Sequence, residues 1–290
     1  SFVESWNLIT HCILHRPKSI DEYFNANTFD LIINCAAYTA VDKAESEPEL
    51  ANVINHLAVQ KLAEIAQQQH TKLIHISTDY VFNGEQCRPY VESDAVDPKG
   101  VYGLTKLAGE QAILQIMATN ALIIRPSWLY SQFGNNFVKT MLRLGEQRDN
   151  LSVIFDQVGT PTYAHDLAGA IMLIVGNEFF NQESFSTQIY HYSNEGVCSW
   201  YDFAKTIFEQ NNVACEVSPI ATKDYPTPAK RPSYSLLNKA KIKEAFGLAV
   251  PYWKDSLKAC LQALQKTTSW RPCIRRQLTC PVDDNYVGRL

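Results

Sequence analysis

Tyr102 and Lys106 stand four residues apart at the start of a helical pattern, Tyr102-Gly103-Leu104-Thr105-Lys106. On a helix, positions i and i+4 share a face, so the phenol and the ammonium point into one space. A phenol titrates at about pH 10 and an ammonium slightly higher. A nearby positive charge favours the phenolate, so the spacing predicts that Lys106 brings Tyr102 toward working pH. Upstream lies His75-Ile76-Ser77-Thr78-Asp79-Tyr80-Val81-Phe82, an apolar strand that ends in hydroxyls and a carboxylate. With a strand-end hydroxyl such as Thr78 beside it, the pair can pass a proton to or from a carbonyl or alcohol oxygen. A Tyr-x-x-x-Lys pair alone arises by chance in many helices, and its meaning here depends on Thr78 and on what positions the set.

The elements that must position it read as an alternation of strands and helices. Asp30–Cys35 and Ala121–Arg125 are short continuous apolar runs, as expected of strands buried on both faces of a parallel sheet. Lys72–Ser77 is a third strand. Between the first and the third, Pro48 to Gln69 reads as one long helix, with Leu50, Val53, Ile54, Leu57, Leu62 and Ile65 as its buried stripe. Tyr102 opens the next helix, to about Met117. This pattern predicts an α/β, Rossmann-like doubly wound parallel sheet. Ligands of such sheets bind beyond the carboxyl ends of the strands. Ala36–Thr39, Ser77–Tyr80 and Ser127-Trp128 all directly follow strands, so they are expected to converge there. The small residues Ala36 and Ala37 let a flat ligand approach the backbone.

After Tyr130 the pattern changes. Helices are expected at Phe137–Leu144, Asp166–Val175, Ser199–Gln210 (capped by Ser199), Asn238–Phe246 and Trp253–Gln265, with strands at Leu151–Phe155 and Gln188–Tyr192. A proline-rich basic loop, Tyr225-Pro226-Thr227-Pro228-Ala229-Lys230-Arg231-Pro232, interrupts them. The expected division is a dinucleotide-binding part over 1–130 and a smaller α/β substrate lobe over 131–266 with some segments returning to the sheet. Residues 267–290 form a basic, turn-rich tail expected to be disordered.

Composition narrows the partners. Hydrophobic residues make up 46% and charged residues 19%, with a net charge of −4, which gives no reason to expect nucleic acid or an anionic membrane. No apolar run is long enough for a membrane span, and Glu4, Asn7 and His11 interrupt any signal-peptide core. Eight cysteines without a C-x-x-C pair suggest reduced thiols in a cytoplasmic protein. His11, Cys12 and His15 lie close together, but nothing nearby completes a metal site, and none is assigned.

At Asn34–Glu45, Ser77–Phe82 and Tyr102–Glu110 the chain resembles the dTDP-4-dehydrorhamnose reductases, extended short-chain dehydrogenase/reductases of deoxysugar nucleotide synthesis. The likeness continues through Arg125-Pro126-Ser127-Trp128, Gly134–Lys139, Asp156–Thr162 and Tyr225–Pro232. It implies reduction of the C4 ketone of dTDP-4-dehydro-6-deoxy-L-mannose by NADPH or NADH, giving dTDP-L-rhamnose. By match, Tyr102 is the proton donor, Lys106 holds the nicotinamide ribose and depresses the Tyr102 pKa, and Thr78 hydrogen-bonds the same oxygen. Ala36, Ala37, Tyr38 and Thr39 contact the cofactor, while Asp79 and Trp128 contact the nucleotide sugar. Arg231 suits a nucleotide phosphate, because a guanidinium matches phosphate geometry; a plain surface arginine is the competing reading. Asp42, Lys43 and Glu45 receive no chemistry. Family members can also use magnesium, through acidic residues that have no evident position here. A second copy of the chain, in a homodimer, is the one macromolecular partner entertained. Related sugar-nucleotide dehydratases carry Thr-Asp-Glu where this chain has Thr78-Asp79-Tyr80, so elimination lacks its base and plain reduction fits better.

The chain also departs from that family. Its first glycine is Gly84, so no G-x-x-G-x-x-G turn precedes the strand at Leu31. The expectation is that the first β-α unit, roughly 25 to 30 residues, is missing, with Asn7–Leu14 standing in for a second strand. In a 3-2-1-4-5-6 sheet the first strand is then expected to be lost from between the strand ending at Asn34 and the one ending at Ser77, leaving a gap or a closed-up sheet. That loss raises the alternative of a non-catalytic regulatory subunit, like the beta subunit of methionine adenosyltransferase. The retention of Thr78, Tyr102 and Lys106 argues against it.

Overall fold

A computed structural model describes residues 17–269 of the chain. The expectations for Asn7–Leu14, for the His11/Cys12/His15 group, for the missing first unit and for most of the 267–290 tail lie outside the described residues.

The chain alternates as its apolar pattern requires. Helix α1 (Pro17–Ala26) places Ile20 and Phe24 one turn apart, both buried. Strand β1 (Leu31–Asn34) leads through a loop to helix α2, built from Pro48–Asn52, a π-helical turn at Val53–Leu57 and Ala58–Gln68. Pro48 fits the first turn of α2, where its missing N–H would have had no partner. The π turn adds a residue to one turn and so rotates the face that follows it. The expected stripe breaks at one residue: Leu57 is 41% exposed, while Ile54, Leu62 and Ile65 are buried as expected and are joined by Val59, Ala63 and Ala66.

Strand β2 (Lys72–Ile76), helix α3 (Val101–Ile116) and strand β3 (Ala121–Pro126) follow. Next come helix α4 (Phe137–Gln147), strand β4 (Asn150–Ile154), helix α5 (Ala164–Val175) and strand β5 (Gln188–Tyr192). Helix α6 (Trp200–Asn211), strand β6 (Glu216–Ile220), helix α7 (Ala240–Phe246) and helix α8 (Trp253–Ser269) complete the described chain. Ser199 caps α6 through a reciprocal box with Asp202. Helix α8 runs past residue 266, four residues beyond the expected Gln265 end.

The main sheet has the order β1-β2-β3-β5, and every pairing in it is parallel. Leu31 to Asn34 pair with Lys72 to His75 in unbroken register. This corrects the expected gap: no strand has been lost from between these two. They are consecutive strands joined by one helical crossover, and such strands usually lie side by side. One face of the sheet offers Ile32, Leu73, Ala121 and Ile123 to residues of α1, α2 and α3. The other offers Ile74, Leu122 and Ile124 to Leu167, Ile171 and Ile174 of α5 and to Ile242 and Phe246 of α7. Both faces are therefore covered, the doubly wound arrangement that buried apolar strands demand.

A second core forms where Met141 of α4, Phe203 and Ile207 of α6, and Trp253 and Leu257 of α8 meet the parallel pair β4–β6. Sequence reading had no strand at Glu216–Ile220. The segment 233–238 ties this lobe to the first part: Val158 N–H donates to Ser233 O at 2.9 Å, and Tyr90 N–H donates to Leu236 O at 2.9 Å.

Candidate active site

Because β1, β2 and β3 are parallel and adjacent, the loops after Asn34, Ile76 and Pro126 leave from one edge of the sheet. The loop after β2 folds at once into a turn of 3-10 helix, Asp79–Val81, capped by Thr78. The Thr78 hydroxyl accepts from Tyr80 N–H at 3.2 Å and donates to Asp79 Oδ1 at 3.1 Å. It also bonds the Tyr102 phenol, which α3 brings in from the side.

Burial sets the state of these groups. It pushes the Tyr102 phenol up to about 12; the hydrogen bond with Thr78 works against that rise and the Asp79 charge adds to it. Burial brings Lys106 down to about 8, against the opposing influence of Glu110 and Cys35. The Lys106 ammonium donates to Ile76 O at 2.7 Å. The expected lowering of the Tyr102 pKa by Lys106 is thus not found in this state. The two share the site, but desolvation dominates the phenol and the ammonium is held on a strand-end carbonyl. Asp79, 4% exposed, is raised to about 6 by burial, moderated by hydrogen bonds from Ser235 and Thr78.

Tyr80 packs edge-on to Tyr102, with ring centroids 5.4 Å apart. The contact needs Gly103, where a β-carbon would lie 2.3 Å from the Tyr80 carbonyl oxygen. Gly109 plays the same part on the other side of α3: a β-carbon there would lie 2.3 Å from the Asn55 carbonyl oxygen in the π turn of α2. Behind the phenol, Arg125 donates from Nε and Nη2 to the Glu110 carboxylate at 2.9 and 2.6 Å, and the Ser77 hydroxyl donates to the same carboxylate. Side-chain exposures of 3% for Arg125 and 1% for Glu110 mark this as a buried pair, which joins β3, α3 and the residue before Thr78.

Sequence reasoning missed Asn55. From the π turn it grips the loop after β1 on both sides: Tyr38 N–H donates to Asn55 Oδ1 at 2.8 Å, and Asn55 Nδ2 donates to Tyr38 O at 3.1 Å and to Thr105 Oγ1 at 3.2 Å. Asn34 Oδ1 holds Ala36 N–H at 3.2 Å, and Asn34 Nδ2 lies 3.0 Å from His75 Nδ1. The loop is therefore fixed while Ala36 and Ala37 present only methyl groups at its half-buried surface and Thr39 is exposed. In the sequence Asn55 is one of several polar residues of its helix, beside Asn52, His56 and Gln60, and nothing local says what it holds.

Trp128 has the backbone in the left-handed region, with φ of 48°, uncommon for so bulky a residue. Its ring stacks on Trp200 at 3.7 Å, and Gly159 leaves room for its edge. One face of Trp128 is thus already occupied, by a partner the sequence did not suggest. Arg231 forms a bidentate pair with Asp42, Nη1 to Oδ1 at 3.0 Å and Nη2 to Oδ2 at 2.7 Å. Among the described residues no group of three or more His, Cys, Asp or Glu side chains is placed to hold a metal ion. No described helix is long and apolar enough to cross a membrane, and Cys35, Cys87, Cys198, Cys215 and Cys260 are unpaired.

Comparison with known proteins agrees with this architecture. The family model described as the RmlD substrate binding domain matches residues 9–266. The chain is 43% identical over 247 residues to a dTDP-4-dehydrorhamnose reductase of Aggregatibacter actinomycetemcomitans, covering 83% of this chain and 82% of that one. Among solved structures it is similar to a dTDP-4-dehydrorhamnose reductase of Clostridium acetobutylicum, with a TM-score of 0.81, 40% identity and 87% of each chain covered. It is also similar to the Bacillus anthracis dTDP-4-dehydrorhamnose reductase solved in complex with NADP, with a TM-score of 0.80, 38% identity and 86% of each chain covered.

Proposed function

The chain belongs to the RmlD substrate binding domain family, and from that membership we propose that it reduces the C4 ketone of dTDP-4-dehydro-6-deoxy-L-mannose to dTDP-L-rhamnose with NADPH or NADH. The observation that carries this reading is the meeting of Thr78, Tyr102 and Lys106 at the strand ends, with the phenol protonated at neutral pH. A reduction needs an acid at the carbonyl oxygen, and a phenol held up to about 12 enters the reaction carrying its proton.

When bound, the nicotinamide supplies a hydride to C4. Tyr102 gives its proton to the ketone oxygen as the carbonyl π electrons move onto that oxygen, and the product is the C4 alcohol. Thr78 hydrogen-bonds the same oxygen. The ammonium of Lys106 steadies the phenolate left behind, an interaction that strengthens as charge develops. Ala36, Ala37, Tyr38 and Thr39 would hold the cofactor, and Lys106 would hold its ribose. Thr78, Asp79, Trp128 and Arg231 face the nucleotide sugar. Tyr80 supplies no base for elimination, so the reaction ends at reduction. No step calls on magnesium. The same reading takes the protein as cytoplasmic, in keeping with its unpaired cysteines, and admits a homodimer, which sedimentation can test. A purely regulatory role is not favoured, because the relatives reported above bear the name of a reductase.

The test is oxidation of NADPH in the presence of dTDP-4-dehydro-6-deoxy-L-mannose. Tyr102→Phe should lower kcat by about 10²- to 10⁴-fold, the range for losing a general acid, while the variant still binds NADPH. Turnover that survives in Tyr102→Phe, or folded wild-type protein that neither turns over nor binds cofactor, would falsify the proposal.

A further inference from the structure

Asp42 received no chemistry from the sequence, yet three hydrogen bonds from the proline-rich loop, 187 or 189 residues further along the chain, end on its carboxylate. Two come from the Arg231 guanidinium. The third comes from Ala229 N–H, which donates to Oδ1 at 3.1 Å. Burial alone would raise the Asp42 carboxyl, but the bonds from Arg231 and Ala229 bring it below its ordinary value, so it is ionised at neutral pH. Asp42 follows directly on the loop that carries Ala36–Thr39. Arg231 is close enough to Tyr80 for its charge to act on that phenol, and Tyr80 packs on Tyr102. Beyond Arg231 the loop is seated by shape: Gly84, with φ of 78°, approaches Pro232 so closely that a β-carbon would lie 2.6 Å from the Pro232 Cα. Ser235, a few residues on, lies beside Asp79 and works to lower its carboxyl.

We infer that Asp42 is a positioning residue: its carboxylate fastens residues 225–232 as a strap across the site and so builds the wall that receives the nucleotide end of the substrate. This deepens the proposed reductase activity, since the ligand of that wall follows from it. A charged pair with side-chain exposures of 18% and 29% is sheltered enough to be directional and wet enough to open. Lys230 is exposed beside the anchored Ala229, so an opened strap presents a trypsin site there.

Two measurements on the full chain separate the strap from the activity. Trypsin cleavage after Lys230 should quicken about tenfold in Asp42→Ala, the population change expected when charge-assisted hydrogen bonds are lost, while the melting temperature falls by no more than about 5 °C. By calorimetry, Asp42→Ala should weaken binding of dTDP about tenfold and leave NADPH affinity unchanged. Unchanged cleavage, cleavage that quickens equally at sites outside residues 225–232, or a loss shared equally by dTDP and NADPH would overturn the inference. Wild-type protein that binds no dTDP would instead refute the reductase reading, with the cleavage result still deciding the strap.

Discussion

Gly103 and Tyr80 are in backbone contact: a β-carbon on Gly103 would stand 2.3 Å from the Tyr80 carbonyl oxygen. The helix that carries Tyr102 and Lys106 is thereby pressed onto the turn that carries Thr78 and Asp79. Gly103→Ala must separate the two. It should cost about 1–3 kcal/mol, the range for forcing a methylene into a packed interior, and should lower kcat because Tyr102 and Thr78 part together. Denaturant unfolding and steady-state kinetics check this. A stable variant with wild-type turnover would mean that the contact is dispensable.

Asn55 joins the loop at Tyr38 to α3 through Thr105. Asn55→Ala leaves the Tyr38 N–H and C=O without these partners, at about 1–3 kcal/mol. The Kd for NADPH should rise, with a smaller effect on the KM for the nucleotide sugar. Cofactor fluorescence titration measures the first and kinetics the second; an equal rise in both would place Asn55 elsewhere in the mechanism.

Glu110→Gln removes the counter-charge of a buried arginine. Breaking such a pair costs about 3–5 kcal/mol, and the amide leaves one oxygen to be shared by Ser77 and Arg125 where the carboxylate offered two. The melting temperature should fall well beyond that of a surface substitution. A melting temperature within the range of surface variants would contradict the role given to the pair.

Lys106 predicts the alkaline limb of the pH profile. Its ammonium, brought down to about 8 by burial, is lost as pH rises through that value. Glu110 on its own helix, Cys35 after β1 and His75 on β2 are the titratable groups within its electrostatic reach. Accordingly kcat/KM for the cofactor, which reports the free enzyme, should fall above about pH 8. Stability moves the other way. Between about 8 and the ordinary 10.5 the unfolded chain binds the extra proton, so stability rises with pH across that window. Lys106→Met should remove both trends, and a pH-independent kcat/KM from 7 to 10 in the wild type would refute the assignment.

What the sequence determined by itself was local or nearly so. Apolar runs marked the strands, the i, i+4 spacing put Tyr102 and Lys106 on one helix face, and Ser199 announced the cap of α6. Those features depend on residues within a turn or a strand of one another. Even the sheet edge from which Ala36–Thr39, Ser77–Tyr80 and Ser127-Trp128 all leave followed from one rule about parallel strands. Tertiary structure decided what lies opposite what. It paired β1 directly with β2, used the π turn to turn Leu57 outward and Asn55 inward, stacked Trp128 on Trp200, and set Asp42 against Arg231. It also reversed an electrostatic expectation: spacing placed an ammonium near Tyr102, but the depth of burial governs the phenol. Desolvation and close approach depend on every surface that meets at a point, and no stretch of sequence contains that sum.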